Sequence, residues 1–144
     1  MKHPILSGLS VLLIVVTFMG CNSEDIPEFN TLDEKVDYLI EQNMYEEALD
    51  ELENEDIEDP GIRVLLEKTH LNYGLHNMNT FDETEMRTRM NDALRQFTEV
   101  LRINPQNEVA QNQIRQILQI YDTIPNRQPE DDVIVGLRDV GFNI

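Results

Sequence analysis

The chain has 144 residues, with 28 acidic and 11 basic side chains and a formal net charge of −17. That length allows one domain, and that charge excludes nucleic acid as a partner, because phosphates need basic surface. The only cysteine is Cys21, so no internal disulfide can form and packing alone must hold the fold.

The chain opens with a segment that stands outside the fold. Lys2 supplies a positive start, and Ile5–Met19 is apolar except for small residues and Thr17. This is the length and make-up of a secretory signal peptide, shorter than a comfortable membrane span. It ends in Phe18-Met19-Gly20-Cys21, which resembles a bacterial lipobox, with Phe18 where leucine is usual. The resemblance implies a signal peptide over residues 1–20, cleavage between Gly20 and Cys21, a diacylglyceryl group on the Cys21 thiol, and acylation of the new N-terminus. Each buried CH₂ of such an anchor adds roughly 0.8 kcal/mol. The resemblance also implies sorting: aspartate after the cysteine retains such lipoproteins in the inner membrane, so Asn22 favours the outer membrane over the outer face of the cytoplasmic membrane. Glu24 and Asp25 resemble the surface-export signals of some Bacteroidota lipoproteins. Residues 21–30 then read as the lipidated cysteine and a polar tether containing Pro27.

An all-α domain is expected over residues 31–122. Thr31-Leu32-Asp33-Glu34 has the form of a capping box and opens a first helix, with Leu32, Val36, Leu39 and Ile40 inward and Asn43 at its turn. A second helix runs from Met44, with Tyr45, Ala48, Leu49 and Leu52 inward. The acidic run Glu51–Asp59 lacks the alternating ligands and central glycine of a calcium loop. It reads as a solvated face. Asp59-Pro60 starts a third helix, with Ile62, Leu65, Leu66, Thr69 and Tyr73 inward, and Gly74 and Asn77–Asn79 are expected to loosen its end. Thr80-Phe81-Asp82-Glu83 has the form of a second capping box and predicts a long fourth helix over Phe81–Ile103. Its apolar residues Met86, Met90, Ala93, Leu94, Phe97, Val100 and Leu101 share one face. Asn104-Pro105 closes that helix and opens a fifth, Pro105 to about Tyr121, with Ala110, Ile114, Ile117, Leu118 and Tyr121 inward. In residues 123–144, a linker precedes Val133, Ile134, Leu137 and Val140, whose spacing predicts a short helix over Glu130–Val140. That helix is expected to cover the apolar face of the fifth and cap the array. Gly136 leaves a strand as the alternative.

Two stretches carry a repeat. Ala48, Leu52 and Pro60 stand at offsets of four and twelve, as do Ala93, Phe97 and Pro105. Tyr45-Glu46-Glu47-Ala48-Leu49 resembles the second helix of a tetratricopeptide (TPR) hairpin, and Asn104-Pro105-Gln106-Asn107 resembles the turn between hairpins. The resemblance covers Leu32–Tyr121 and implies a short right-handed superhelix of antiparallel hairpins. Two departures stand out. Glu55 and Val100 occupy positions where a small residue is usual, and the two alanines are 45 apart against a period of roughly 34. The surplus is expected between Gly74 and Met86, as a loop at His76–Thr80 and an extra turn on the fourth helix.

No catalytic constellation is legible. There is no P-loop, dinucleotide fingerprint or nucleophile elbow, and His70 and His76 are spaced so that they do not share a helix face as a metal pair would. No enzyme, cofactor or metal is therefore expected. The TPR resemblance implies a groove lined by the first helix of each hairpin: Asp33, Asp37 and Glu41, then Glu67 and Leu71, then Asn112, Gln116 and Gln119. Its acidic and amide character suits basic or neutral protein segments. The inserted Leu75–Glu83, with Met78 and Phe81, is a second candidate contact. The overall acidity fits either a high-salt environment or a basic partner. The reading is a membrane-anchored adaptor or scaffold of the bacterial envelope. A self-associating structural lipoprotein and a ligand- or glycan-binding one are the alternatives.

Overall fold

The computed structural model describes residues 27–80 and 82–144. The signal segment, Gly20, Cys21 and most of the tether lie outside the described residues, as does Phe81. Six helices and no strand occur among the described residues: α1 (Leu32–Glu41), α2 (Tyr45–Leu52), α3 (Pro60–Asn79), α4 (Met86–Ile103), α5 (Glu108–Thr123) and α6 (Asp131–Asp139).

Local chemistry sets most boundaries. Thr31 Oγ1 accepts from the Glu34 N–H at 3.2 Å, while the Glu34 carboxylate reaches back to the Asn30 N–H at 2.9 Å. Together they satisfy two donors ahead of α1. Asn43 ends α1 with φ 60, and the Met44 N–H returns to the Leu39 carbonyl at 2.8 Å, a Schellman closure. Asp59 caps α3 through the Gly61 N–H at 2.7 Å, with Pro60 in the first turn. Gly141 closes α6 at φ 96.

Three boundaries differ from expectation. Gly74 does not loosen α3, and His76–Asn79 is helical rather than a loop. Thr80 does not open α4. Its hydroxyl donates to the His76 carbonyl at 2.7 Å and closes α3 instead. Asp82 then collects the Thr84 and Glu85 N–H groups at 2.8 and 3.1 Å, and α4 begins only at Met86. The residues between Gly74 and Met86 therefore lengthen α3 and form a tight turn, and add nothing to α4. Pro105 lies in the turn rather than in α5. Asn107 is the cap, accepting the Ala110 N–H at 2.9 Å.

The core has two parts. Val36, Leu39, Ile40, Tyr45, Ala48, Leu52 and Leu65 join α1, α2 and the start of α3. A larger cluster gathers the buried faces of α4, α5 and α6, against which Leu71, Leu75 and Met78 of α3 pack. α3 thus belongs to both parts, and its pairing with α4 is the most extensive in the molecule. Gly74 explains how closely they approach. A Cβ built on it would stand 2.6, 2.8 and 3.0 Å from ring atoms of Phe97, which is itself 0 % exposed. Burying that ring contributes about 1.5–3 kcal/mol.

α6 lies along α4 rather than over α5. Arg95 holds its start, reaching Asp132 at 2.9 and 3.1 Å and Glu130 at 2.6 Å. Buried Asn91 accepts the Glu130 N–H at 3.0 Å. Gly136 faces Thr98, and Val133 and Leu137 complete the larger cluster. The difference is electrostatic in part: Arg95 of α4 bonds Glu130 and Asp132 at the start of α6, and α5 supplies no such pair among the described residues.

Gly74→Ala should lower unfolding free energy by up to about 2 kcal/mol in urea titration. Overpacking costs about 1–3 kcal/mol, and better helix propensity returns about 1 of it. In a Phe97→Leu background the same substitution should be neutral or stabilising. Arg95→Gln should reduce hydrogen-exchange protection of Val133–Leu137 severalfold, less so in high salt. The Arg95 hydrogen bond holds the Asp132 carboxyl below the usual carboxylate range. A depressed folded value means the clip is at full strength above about pH 4 and is lost as pH falls through that value. Protection of α6 should hold from about pH 7 to about pH 5 and decline below about pH 4.

Candidate functional site

The eight residues expected to line a groove fall on α1, α3 and α5, but not in equivalent roles. Asp33 and Glu41 are exposed on α1. Asp37 pairs with Lys68 of α3, tying the two helices together. Glu67 is also engaged. One of its oxygens accepts from Asn104 at 2.8 Å and Asn107 at 2.7 Å, which fastens the turn between α4 and α5 onto α3. Leu71 is half-buried against the larger core cluster. On α5, Asn112 accepts from Arg115 at 2.9 Å, and Gln116 and Gln119 are exposed. None of the clefts described below is lined by these residues.

A cleft with apolar walls opens where α4 begins and α5 ends. It encloses about 320 Å³, with Met86, Met90 and Ile124 as its apolar walls, Arg87 and Arg127 as its cations and Tyr121 within it. A polar space beside it shares both arginines. Asn126 takes the left-handed region at φ 57 and turns the chain ahead of Arg127. Tyr121 is 5 % exposed, and its hydroxyl makes no hydrogen bond in good geometry among the described residues. Burial pushes its pKa up, while Arg87 nearby pulls it the other way.

A second cleft lies between α2 and the end of α3. Tyr45 and Tyr73 stack there with ring centres 5.0 Å apart, and His76 leans on Tyr45 at 5.3 Å. Tyr73 donates to Glu46 at 3.1 Å. Burial, then this bond to a carboxylate, push the Tyr73 phenol up. Nearby, Arg89 donates to buried Asn77 Oδ1 at 2.9 Å. His70 instead contacts Gln96 at 2.8 Å. No cluster of three or more His, Cys, Asp or Glu suited to a metal ion occurs among the described residues. No helix among them is long and apolar enough to cross a membrane.

Spacing along the chain did not single out Arg87 or Arg127, because they are 40 apart and only the fold brings them together. Their one sequence signal is scarcity of positive charge in so acidic a chain. Compared with protein-family models, with curated proteins and with solved structures, the chain matches none of them.

The structural duty of Glu67 is testable. Glu67→Ala should cost about 1–2 kcal/mol in thermal or urea unfolding, since it removes two hydrogen bonds to a charged acceptor. Gln116→Ala and Gln119→Ala should each stay within about 0.5 kcal/mol.

Proposed function

We propose that the protein is a lipid-anchored, TPR-like helical scaffold of the bacterial cell envelope that binds another protein through the α1 face of its hairpin array. The anchor rests on one observation: the sole cysteine, Cys21, directly follows Gly20 at the end of an apolar signal-like segment. Two hairpins in succession, α1–α2 and α3–α4, support the repeat reading. Ala48 and Ala93 are both 0 % exposed, and each is followed four residues on by a buried large side chain, Leu52 or Phe97. Alternate helices also touch, α1 against α3 and α4 against α6, as stacked hairpins require. The surplus over a standard repeat is taken up by the 20-residue α3 and the turn after it.

The binding reading rests on the exposed acids Asp33 and Glu41, which form no ion pair among the described residues. They would attract a basic or neutral segment of the partner and speed its approach. The overall acidity adds to that attraction.

Two experiments test this. Cys21→Ser should abolish incorporation of labelled palmitate and move the protein from the membrane to the soluble fraction. Crosslinked capture of the native protein from membranes should recover one dominant partner. Asp33→Lys/Glu41→Lys should reduce that recovery by about tenfold, equivalent to about 1.4 kcal/mol, without changing the melting temperature. Recovery of the chain alone, or an unchanged set of proteins with the double variant, would count against the adaptor and favour self-association.

A further inference from the structure

Positive charge is scarce in this chain, and nearly all of it is spent. Among the described residues, Lys35, Lys68, Arg89, Arg95 and Arg102 form ion pairs. Arg63 and Arg138 donate to backbone carbonyls, and Arg115 donates to side-chain amides. The two that remain, Arg87 and Arg127, form no ion pair there, although Arg87 comes close to the Tyr121 hydroxyl, and both line the cleft where α4 begins and α5 ends. Tyr121 lines the same cleft, and its buried hydroxyl has no hydrogen bond in good geometry. A buried hydroxyl left unpaired is costly. Arg87 and Arg127 are exposed and hydrated, so they cost the fold nothing and stay free to meet an anion, while the buried hydroxyl is the group that a ligand's acceptor would satisfy.

The surroundings narrow the ligand. Met86, Met90 and Ile124 give the cleft apolar walls, and its volume of about 320 Å³ is at the lower end of small-molecule sites. Glu83 is the one carboxylate lining it. Two guanidinium charges less one carboxylate leave a single net positive charge. Arginine and a protonated phenol donate hydrogen bonds, and arginine accepts none. Burial favours the protonated phenol of Tyr121.

We infer that this cleft binds a small monocarboxylate carried on an apolar stem, with its head held by Arg87, Arg127 and the Tyr121 hydroxyl and its stem against Met86, Met90 and Ile124. Guanidinium groups suit carboxylates by geometry as well as charge. A single net charge matches a carboxylate better than a phosphate dianion. The two methionines are flexible and adapt to stems of different shape. The site needs neither the anchor nor a protein partner, so it stands or falls apart from the scaffold proposal.

The test uses the full-length protein in nanodiscs of zwitterionic lipid, labelled at its methionine methyl carbons. It is titrated with hexanoate, with hexanol as the uncharged control and inorganic phosphate as the control without a stem. Hexanoate should shift the Met86 and Met90 methyl resonances saturably, and the two controls should bind at least about tenfold more weakly. Arg87→Gln/Arg127→Gln should weaken hexanoate by about tenfold or more with the melting temperature held. Tyr121→Phe should weaken it severalfold while the unliganded protein melts at the same temperature or higher, because that variant removes an unpaired hydroxyl. The inference is overturned if hexanoate gives no saturable shift, if either control binds as tightly, or if the double variant keeps its affinity.

Discussion

The ring of Phe97 lying on the bare backbone of Gly74 is the contact on which the other arrangements depend. It sets how closely α3 and α4 approach, with ring atoms where a Cβ would otherwise stand. From that pairing follow both halves of the core. α3 carries Leu65 into the cluster with α1 and α2, and carries Leu71, Leu75 and Met78 to the cluster with α4, α5 and α6. Glycine in a helix interior costs up to about 1 kcal/mol relative to alanine. Here that cost is offset by burial of a full aromatic ring against the bare backbone. Ala93, fully buried one turn before Phe97, keeps the same face of α4 narrow.

Electrostatics fix what apolar packing leaves loose. Non-directional burial cannot choose where along α4 the short α6 should sit. Arg95 and Asn91 choose it, one through two carboxylates and the other through a backbone N–H. Lys68 and Asp37 do the same between α1 and α3. Among the described residues, five of the few cations, Lys35, Lys68, Arg89, Arg95 and Arg102, pair with carboxylates. The positions of the cations, more than those of the acids, therefore determine how the helices register.

The helices were legible from apolar spacing, and the caps from side chains that compete for backbone donors. Thr31, Asn43 and Asp59 act where their chemistry suggests. The errors share one cause: a local signal lost to a distant contact. Gly74 reads as a helix breaker until Phe97, far along the chain, is placed against it. Thr80 has the pattern of a cap for the helix after it, yet serves the helix before it, because α3 runs on past Gly74 and needs closing there. Pro105 suits a first helical position, but Asn107 offers its side chain to the Ala110 N–H and takes the role. The residues expected to line a groove fall on α1, α3 and α5, but the duties of two of them were not legible. Glu67 and Asp37 look like free acids in the sequence and are fastened in the fold. The arginine cleft had no linear pattern, since Arg87 and Arg127 meet only when the end of α5 folds back beside the start of α4.

The division of the core also decides how the molecule responds to tension. The smaller cluster lies at the N-terminal end, and only α3 connects it to the larger one. A pull on the N-terminus is therefore borne first by α1 and α2, through a few aliphatic side chains and the pairs Lys35–Glu51 and Lys68–Asp37. The Phe97–Gly74 seam bears the same tension but, being more extensively packed, gives way after them. The two parts behave as a weak spring and a strong one in series. The first hairpin can peel off and lengthen the chain while α4, α5 and α6 stay folded, so the surfaces they display would survive forces that undo the start of the array.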